Sequence, residues 1–248
     1  LETTTTGGNN AAFGYQALQK LTDSIYNTGI GRNAGKEITT GTRNTAVGAL
    51  SLDATTTADD NTAIGSSALT ANTTGTQNTA VGSAALAANT TANANTAVGY
   101  AAADANTTGS ANTAIGYHAL HSNTTGSQNT GLGENTLSAS TTGNDNTAVG
   151  YRALLSNTTG IDNTAVGRTA LDASSTASYN TAVGRDALGG TTTGTQNSGL
   201  GWSALLTNST GSYNTAIGSS ALYANTTGDS NVAIGRDALE ANTTNGSG

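Results

Sequence analysis

Few side chains in this sequence have the types and spacing that catalysis or metal binding requires. His118 and His121 lie three residues apart, but no cluster of carboxylates accompanies them. Acidic residues such as Asp59 and Asp60 do not repeat through the chain, and the Gly- and Asp-rich nonapeptide of calcium-binding rolls is absent. Serine is common, yet no G-x-S-x-G nucleophile motif occurs. We therefore expect no catalytic residue, no metal site, no cofactor and no enzymatic activity.

Asparagine and threonine, by contrast, recur at a regular spacing. Eight asparagines stand in N-x-[ST] sequences, which accept sugars in a glycosylating host: Asn72, Asn89, Asn106, Asn123, Asn157, Asn208, Asn225 and Asn242. The same Asn-Thr-Thr segment offers a second interpretation, an ice-binding array of outward Asn and Thr side chains. A third interpretation is local turn chemistry, in which these side chains bond the neighbouring backbone.

These residues belong to a 17-residue repeat, of which NTAIGSSALTANTTGTQ, residues 61–77, is one copy. We number the places of the repeat from 1 to 17, starting at its first asparagine. Place 1 is Asn and place 5 is Gly in all 14 copies, and no insertion or deletion interrupts the period. Strict length indicates that each copy stacks in register on the preceding one.

Composition excludes several classes of protein. The chain has 248 residues, no Cys, Pro or Met, 9% charged residues and a net charge of −7, and too few large side chains for a thick core. Its eight Lys and Arg residues form no basic stripe, so we expect no nucleic-acid partner. No apolar run is long enough for membrane insertion. We expect residues 1–248 to be one uncapped repeat array from a longer fibre, with 245–248 a loosened exit or a cloning remnant.

The size and composition of the repeat predict its fold. Seventeen residues are too few for a helical pair, and Thr, Val and Ile favour strands. We predict an all-β protein, a parallel β-solenoid (β-roll) of 14 coils with 17 residues per coil, each coil containing two short strands and two tight turns. Coils about 4.8 Å apart would make a rod roughly 65 to 70 Å long.

Three columns of residues define the expected faces of the coil. Place 4 is always apolar and place 9 is Leu in 12 of 14 coils, so we expect these two columns to form the core. Place 3 holds only Ala or Gly, and alternation along a strand would turn it outward. An outward column of such small residues suggests a close neighbour, and we expect a homotrimer interface there: Ala46, Ala63, Ala80, Ala97, Ala114 and Ala148.

The invariant Asn and Gly are expected to fix one bend of every coil. Gly at place 5 suits a positive φ or a point where a Cβ would collide, and Asn at place 1 can bond the asparagines above and below it. The predicted turn ladder comprises Asn10, Asn27, Asn44, Asn61, Asn78, Asn95, Asn112 and Asn129, with Gly48, Gly65, Gly82 and Gly99.

Place 6 varies between small residues, arginines and large aromatics. Tyr100, Tyr117, Tyr151 and Trp202 stand there, and a mixed aromatic and Arg column is a candidate ligand-contacting face. The alternative is a tolerant face that only meets solvent.

The consensus N-T-A-[VI]-G-x-x-A-L resembles the head repeats of trimeric autotransporter adhesins, whose motif runs N-S-x-A-I-G-x-x-[SA]. It is still more similar to NTAVG-type arrays in bacterial and phage tail-fibre-like proteins. The resemblance covers the whole chain and implies a trimeric parallel β-roll fibre, extracellular and on a cell or virion surface. The repeat is longer than that of the adhesins, and the additional residues fall in the N-T-T-G segment.

These observations predict a structural fibre segment, the stalk or head shaft of a surface adhesin or tail-fibre-like protein. The alternatives are an ice-binding solenoid and a filament subunit that assembles end to end. The expected partners are other copies of the chain and a cell-surface or glycan receptor.

Overall fold

The computed structural model describes residues 7–244, which contain strands and turns but no helix. The chain divides into two compact units, Leu1–Ser127 and Gln128–Gly248. The strands of the first unit are β1 (Ala11–Phe13), β2 (Thr28–Ile30), β3 (Thr45–Val47), β4 (Thr62–Ile64), β5 (Thr79–Val81), β6 (Thr96–Val98) and β7 (Thr113–Ile115). Those of the second are β8 (Thr130–Leu132), β9 (Thr147–Val149), β10 (Thr164–Val166), β11 (Thr181–Val183), β12 (Ser198–Leu200), β13 (Thr215–Ile217) and β14 (Val232–Ile234).

Within each unit, consecutive strands pair in parallel and without any shift of register. Thr62 lies opposite Thr79, Ala63 opposite Ala80, and every other pair is likewise 17 residues apart. Each strand is the same part of successive coils, which is the arrangement of a parallel β-solenoid. The predicted fold class, an all-β parallel solenoid with 17-residue coils, is therefore confirmed. Residues 245–248, expected to be an exit or remnant, lie outside the described residues.

The second wall of the coil is not a strand, contrary to the expectation of two strands per coil. Its residues form consecutive turns, in which places 7 and 9 have positive φ, as at Ser67 (57°) and Leu69 (50°). Ala68 and Leu69 consequently both point inward, whereas neighbours in a strand would face opposite sides. The wall still bonds between coils, since the Leu69 amide donates to the Ala85 carbonyl at 3.0 Å.

The orientation expected for the sheet is wrong by one residue. Place 3 faces the interior: all six alanines assigned to the trimer interface are fully buried, namely Ala46, Ala63, Ala80, Ala97, Ala114 and Ala148. Place 4 faces outward, and Ile64 exposes 40% of its surface. The column holds small residues because it packs against the opposite wall of the solenoid. Gly29 shows how close that wall lies, since a Cβ there would come within 2.7 Å of Leu18 Cγ in the preceding coil and 3.0 Å of the Ala34 carbonyl oxygen in its own coil.

The core consists of the place 9 column, as predicted, together with alanines at places 3 and 8. Leu86 and Leu120 are fully buried, like nearly all the place 9 leucines. The packing of the first unit varies in several coils; in one of them Gly35 takes the place of the leucine and Ile38 occupies a site that is usually Asn. A Cβ on Gly35 would lie 2.9 Å from Ile38 Cδ1. The smaller residue, Gly35, is accompanied by a larger one, Ile38, which conserves core volume.

Candidate functional site

Within each unit the place 1 asparagines bond to one another from coil to coil, forming a ladder that is buried in nearly every coil. The Asn61 backbone N–H donates to Asn44 Oδ1 at 3.0 Å, and the Asn61 Nδ2 group donates to the same oxygen at 3.2 Å. Asn61 Oδ1 in turn accepts the Asn78 backbone N–H at 3.0 Å. Each side chain therefore satisfies backbone that belongs to the next coil. The ladder specifies register, because a slipped coil would leave buried amide groups without partners.

A second ladder runs through the coils that have Asn at place 12, where the sequence had suggested turn or surface residues; in the second unit it is interrupted by Ser140, Ser174 and Thr191. Asn72 and Asn89 are fully buried there, and Asn89 Nδ2 donates to Asn72 Oδ1 at 3.0 Å. The two ladders meet at place 15, because the Gly75 carbonyl accepts from Asn61 Nδ2 and Asn72 Nδ2, each at 2.9 Å. The sequence feature that could have indicated this ladder was the preference for Asn at place 12, the first residue of the N-T-T-G segment.

Burial of the second ladder removes two of the earlier interpretations. Seven asparagines of the N-x-[ST] sequences are fully buried and so closed to sugar attachment in the folded chain: Asn72, Asn89, Asn106, Asn123, Asn157, Asn208 and Asn225. An ice-binding array of outward Asn and Thr cannot form either, because this Asn column points inward. The threonines that follow do face outward, and Thr73 Oγ1 donates to the Thr90 carbonyl at 3.0 Å.

The invariant glycine is required for the reason that the sequence suggested. Gly82 has a φ of 135°, and a Cβ on it would lie 2.3 Å from the Gly99 carbonyl oxygen of the next coil. Gly65 is in the same position, with its Cβ site 2.4 Å from the Gly82 oxygen. Coils stack so closely at this bend that any side chain would separate them.

The exposed side of each sheet is a flat array of two columns, which we call the Thr–Val face. It comprises places 2 and 4 of every strand. Place 2 is Thr in β2–β11 and β13, Ser in β12, and Ala or Val in β1 and β14. Place 4 is Val, Ile, Leu or Phe throughout, and Phe13 exposes 76% of its surface. The face contains no charged residue in either column.

The structure brings together only part of the candidate ligand-contacting column. Tyr100 and Tyr117 stack with ring centroids 5.6 Å apart, and His118 stacks on Tyr117 at 4.0 Å. His121 continues the stack at 4.4 Å from His118, and its Nδ1 atom lies 2.5 Å from Asp104 Oδ1. We call Tyr100, Tyr117, His118 and His121 the aromatic stack.

The remaining two candidates, Tyr151 and Trp202, belong to the second unit. The Arg168 guanidinium lies over the Tyr151 ring, 5.9 Å from the ring centroid, which is a cation–π contact. Trp202 is exposed and makes no ring or cation contact with other residues in the described part of the chain. The sequence therefore placed these residues on one column, but only Tyr100 and Tyr117 form a joint surface.

Charged residues are few, and three of the ion pairs within residues 7–244, among them Arg43–Asp60, join equivalent places of adjacent coils. Arg43 Nε donates to Asp60 Oδ1 at 2.6 Å, and this bond lowers the pKa of the Asp60 carboxyl. Asp53 behaves differently, because partial burial raises the pKa of its carboxyl. Within residues 7–244 no three His, Asp or Glu side chains are grouped closely enough to hold a metal ion.

Comparison of the chain with models of known protein families gives no match, and a search of curated proteins gives no relative. The resemblance to adhesin and tail-fibre repeats therefore remains a hypothesis. No helix in the described part of the chain is long and apolar enough to span a membrane.

Proposed function

We propose that this chain is a structural segment of an extracellular fibre, of the kind found in surface adhesins or phage tail fibres, and that it performs no catalysis. The observation that supports this most is the unbroken register of the coils. Every place 1 asparagine from Asn27 to Asn231 stands 17 residues from the next and repeats one hydrogen-bonding role in each unit. A fibre is built from many identical coils, whereas an enzyme needs at least one coil whose side chains differ from the others and form an active site.

Physical reasoning supports a mechanical role for this construction. Extending a solenoid adds the same hydrogen bonds and the same leucine contacts for each 17-residue coil, so stability grows with coil number. The ladder bonds run from coil to coil, in the direction in which the coils stack. Tension applied through the two chain ends would therefore detach one coil at a time, and each coil that detaches must give up its ladder bonds and its core contacts.

Single-molecule pulling on the chain, held by handles at its two ends, tests the proposed function. Seventeen residues span roughly 58 Å when extended but advance about 4.8 Å when stacked, so each coil should release roughly 50 to 55 Å. We expect force-resisting steps in multiples of that length. A chain that extends smoothly, without resisted steps, would contradict a load-bearing role.

A second candidate function, contact with a glycan receptor, is favoured by the aromatic stack. The exposed Tyr100 and Tyr117 rings offer aromatic surface beside the half-buried imidazoles, and Asp104 beside His121 supplies a polar group for hydroxyls. Binding to an array of immobilised glycans tests this proposal. Tyr117→Ala should abolish the signal, while Tyr223→Ala, at a tyrosine of the second unit, should leave it unchanged.

A further inference from the structure

We propose that a row of side chains in the second unit binds a short acidic peptide segment of another protein. The row comprises Tyr151, Arg168, Arg185 and Trp202, and we call it the arginine row. This inference goes beyond the proposed structural role, because a fibre segment can bear load whether or not this surface is occupied. The aromatic stack is a different surface, since it belongs to the first unit and contains no arginine.

The arginine row is continuous because its residues occupy place 6 of four successive coils. Backbone bonds hold these coils at equivalent levels: the Thr169 N–H donates to the Tyr151 carbonyl at 2.9 Å, and the same bond recurs in the next two coils at 3.0 and 2.9 Å. Side chains at place 6 therefore follow one another at about 4.8 Å, and the row is about 14 Å long. Tyr151 and Trp202 do not meet, and the two arginines fill the interval between them.

The residue types of the row are those that dominate binding at protein–protein interfaces. Tyrosine, tryptophan and arginine are the types most enriched at the energetic centres of such interfaces. Trp202 exposes 53% of its surface and Tyr151 exposes 41%, and both arginines between them are exposed as well. The whole chain has a single Trp and only eight Lys and Arg residues, so this succession indicates a recognition surface rather than a tolerant one.

The available positive charge of the row is on Arg168. Arg185 Nε donates to Asp186 Oδ2 at 3.0 Å, so the charge of that guanidinium is already balanced. The Arg168 guanidinium lies over the Tyr151 ring instead, and within residues 7–244 it makes no ion pair. A guanidinium stacked on a ring keeps its N–H groups at its edge, where they can donate to both oxygens of a carboxylate.

The surroundings of the row restrict the ligand to few negative groups. The second unit has four arginines but eight carboxylates, so a long polyanion such as nucleic acid would be repelled along most of its length. A sugar would need several groups that bind its hydroxyls, and two carboxylates near the row are already engaged. Asp186 accepts bonds from Arg185 and Thr169. Asp172 accepts a bond from Arg152 at 3.5 Å.

The spacing of the row favours an extended peptide. Every second residue of an extended chain faces the same side, at intervals of about 6.8 Å. An apolar residue over Tyr151 therefore places a second apolar residue, four positions later and about 13.6 Å away, over Trp202. The residue midway between them lies at about 6.8 Å, between Arg168 at about 4.8 Å and Arg185 at about 9.6 Å. The ligand that matches the row is an extended segment of the pattern apolar-x-acidic-x-apolar.

The size of the row indicates weak, reversible binding of a segment rather than stable docking of a domain. Each partner of a standard interface contributes about 800 Å², which a row about 14 Å long and one side chain wide does not approach. Contacts at the small end of the size range belong to transient interactions. The row lies wholly within one unit, so its use as a site does not depend on the first unit.

Fluorescence of Trp202, the single tryptophan of the chain, reports on the row directly. The probes are two blocked pentapeptides, FAEAF and its uncharged counterpart FAQAF, neither of which contains tryptophan. We expect FAEAF to change the emission saturably and to bind at least about tenfold more tightly than FAQAF, because only FAEAF offers a carboxylate to Arg168. Equal binding of the two peptides, or binding of neither, would overturn the proposal.

Matched variants locate the binding in the row. Arg168→Ala should weaken FAEAF binding at least about tenfold and leave FAQAF binding unchanged. The control is Arg236→Ala, because Arg236 also stands at place 6 and pairs with Asp237, but Ser219 rather than an aromatic residue precedes it by one coil. Arg236→Ala and Tyr117→Ala should both leave the titration unchanged. The assignment is wrong if Arg168→Ala has no effect, or if either control weakens binding as much.

A third probe separates peptide from carbohydrate ligands. A trisaccharide of galacturonic acid carries carboxylates but no apolar side chains, so it should bind more weakly than FAEAF. Binding as tight as that of FAEAF would assign the row to acidic glycans and overturn the peptide assignment. Each of these outcomes is independent of the pulling experiment, in which a failure would contradict the structural role and leave the arginine row untouched.

Discussion

Replacing Asn61 by alanine tests whether the amide ladder holds the coils together. The side chain is fully buried and touches three levels of the solenoid. Its Nδ2 group donates to the Gly75 carbonyl at 2.9 Å and to Asn44 Oδ1 at 3.2 Å, and its Oδ1 accepts the Asn78 backbone N–H at 3.0 Å. Asn61→Ala removes all of these bonds at once.

The magnitude depends on which partners are left without a substitute. The Gly75 carbonyl keeps its bond from Asn72, and Asn78 Nδ2 keeps its bond to the Ala92 carbonyl at 2.8 Å. The Asn78 backbone N–H loses its acceptor inside the coil. One buried unpaired donor costs about 1 to 3 kcal/mol, and the other lost bonds add about 0.5 to 1.5 kcal/mol. We expect Asn61→Ala to lower the free energy of unfolding by roughly 2 to 4 kcal/mol.

The assay combines urea unfolding, followed by circular dichroism, with hydrogen exchange at the Asn78 amide. Exchange at that amide should accelerate more than exchange at amides in distant coils, because the defect is local. The control is Asn93→Ala, at an exposed asparagine whose Oδ1 accepts the Thr76 N–H at 2.7 Å, where water can take over. If Asn61→Ala costs no more than Asn93→Ala, the ladder does not stabilise the stack.

Three further predictions concern the bend, the face assignment and pH. Gly82→Ala should lower stability by about 3 kcal/mol or more, from positive φ and collision with the next coil. Gly75→Ala would bring a Cβ within 2.3 Å of the Ala92 carbonyl oxygen but should cost less, because Gly75 has no positive φ and alanine occurs natively at that place in other coils. Thermal melts compare the two variants. Leu86→Ala should lower the free energy of unfolding, measured in urea, by about 2 to 4 kcal/mol, and Val81→Ala should lower it much less in the isolated chain. The reverse order would support the expectation from sequence that place 4 faces the core. Asp53→Asn should raise the melting temperature at neutral pH, because burial raises the pKa of the Asp53 carboxyl. The folded chain binds a proton at Asp53 more tightly than the unfolded chain, so wild-type stability falls as the pH rises from the ordinary carboxyl pKa through the raised one. The gain in melting temperature should vanish well below the ordinary carboxyl pKa.

The sequence was sufficient for the fold class, the coil length, the place 1 ladder and the glycine bend. All four follow from strict periodicity, since only a repeated environment keeps Asn and Gly at fixed places. The buried leucine column was also predicted correctly, because Leu69 and its equivalents are the largest residues of the second wall. What periodicity does not encode is which side of a three-residue strand faces inward.

The error in face assignment came from treating size as the measure of burial. Ile64 is larger than Ala63, and a thick core would bury the larger residue. In this thin coil the two walls approach so closely that only Ala or Gly fits between the sheet and the leucine column. A signal was present at place 9, which holds Leu, Ala or Gly but never Val or Ile. β-Branched residues are strained at positive φ, so their absence from this column agrees with the positive φ that the structure shows there.

The two ladders also explain why this chain tolerates so small an apolar core. Buried amides normally lower stability unless every group is paired, and here each place 1 Asn is paired only when the coil above has the same length and phase. Inserting one residue into a coil would displace Asn78 from Asn61 and the Gly75 carbonyl from both of its donors. The polar interior thus penalises any departure from 17 residues, whereas a purely apolar interior would accept slippage. Uniform coil length in turn keeps the Thr–Val face regular from strand to strand.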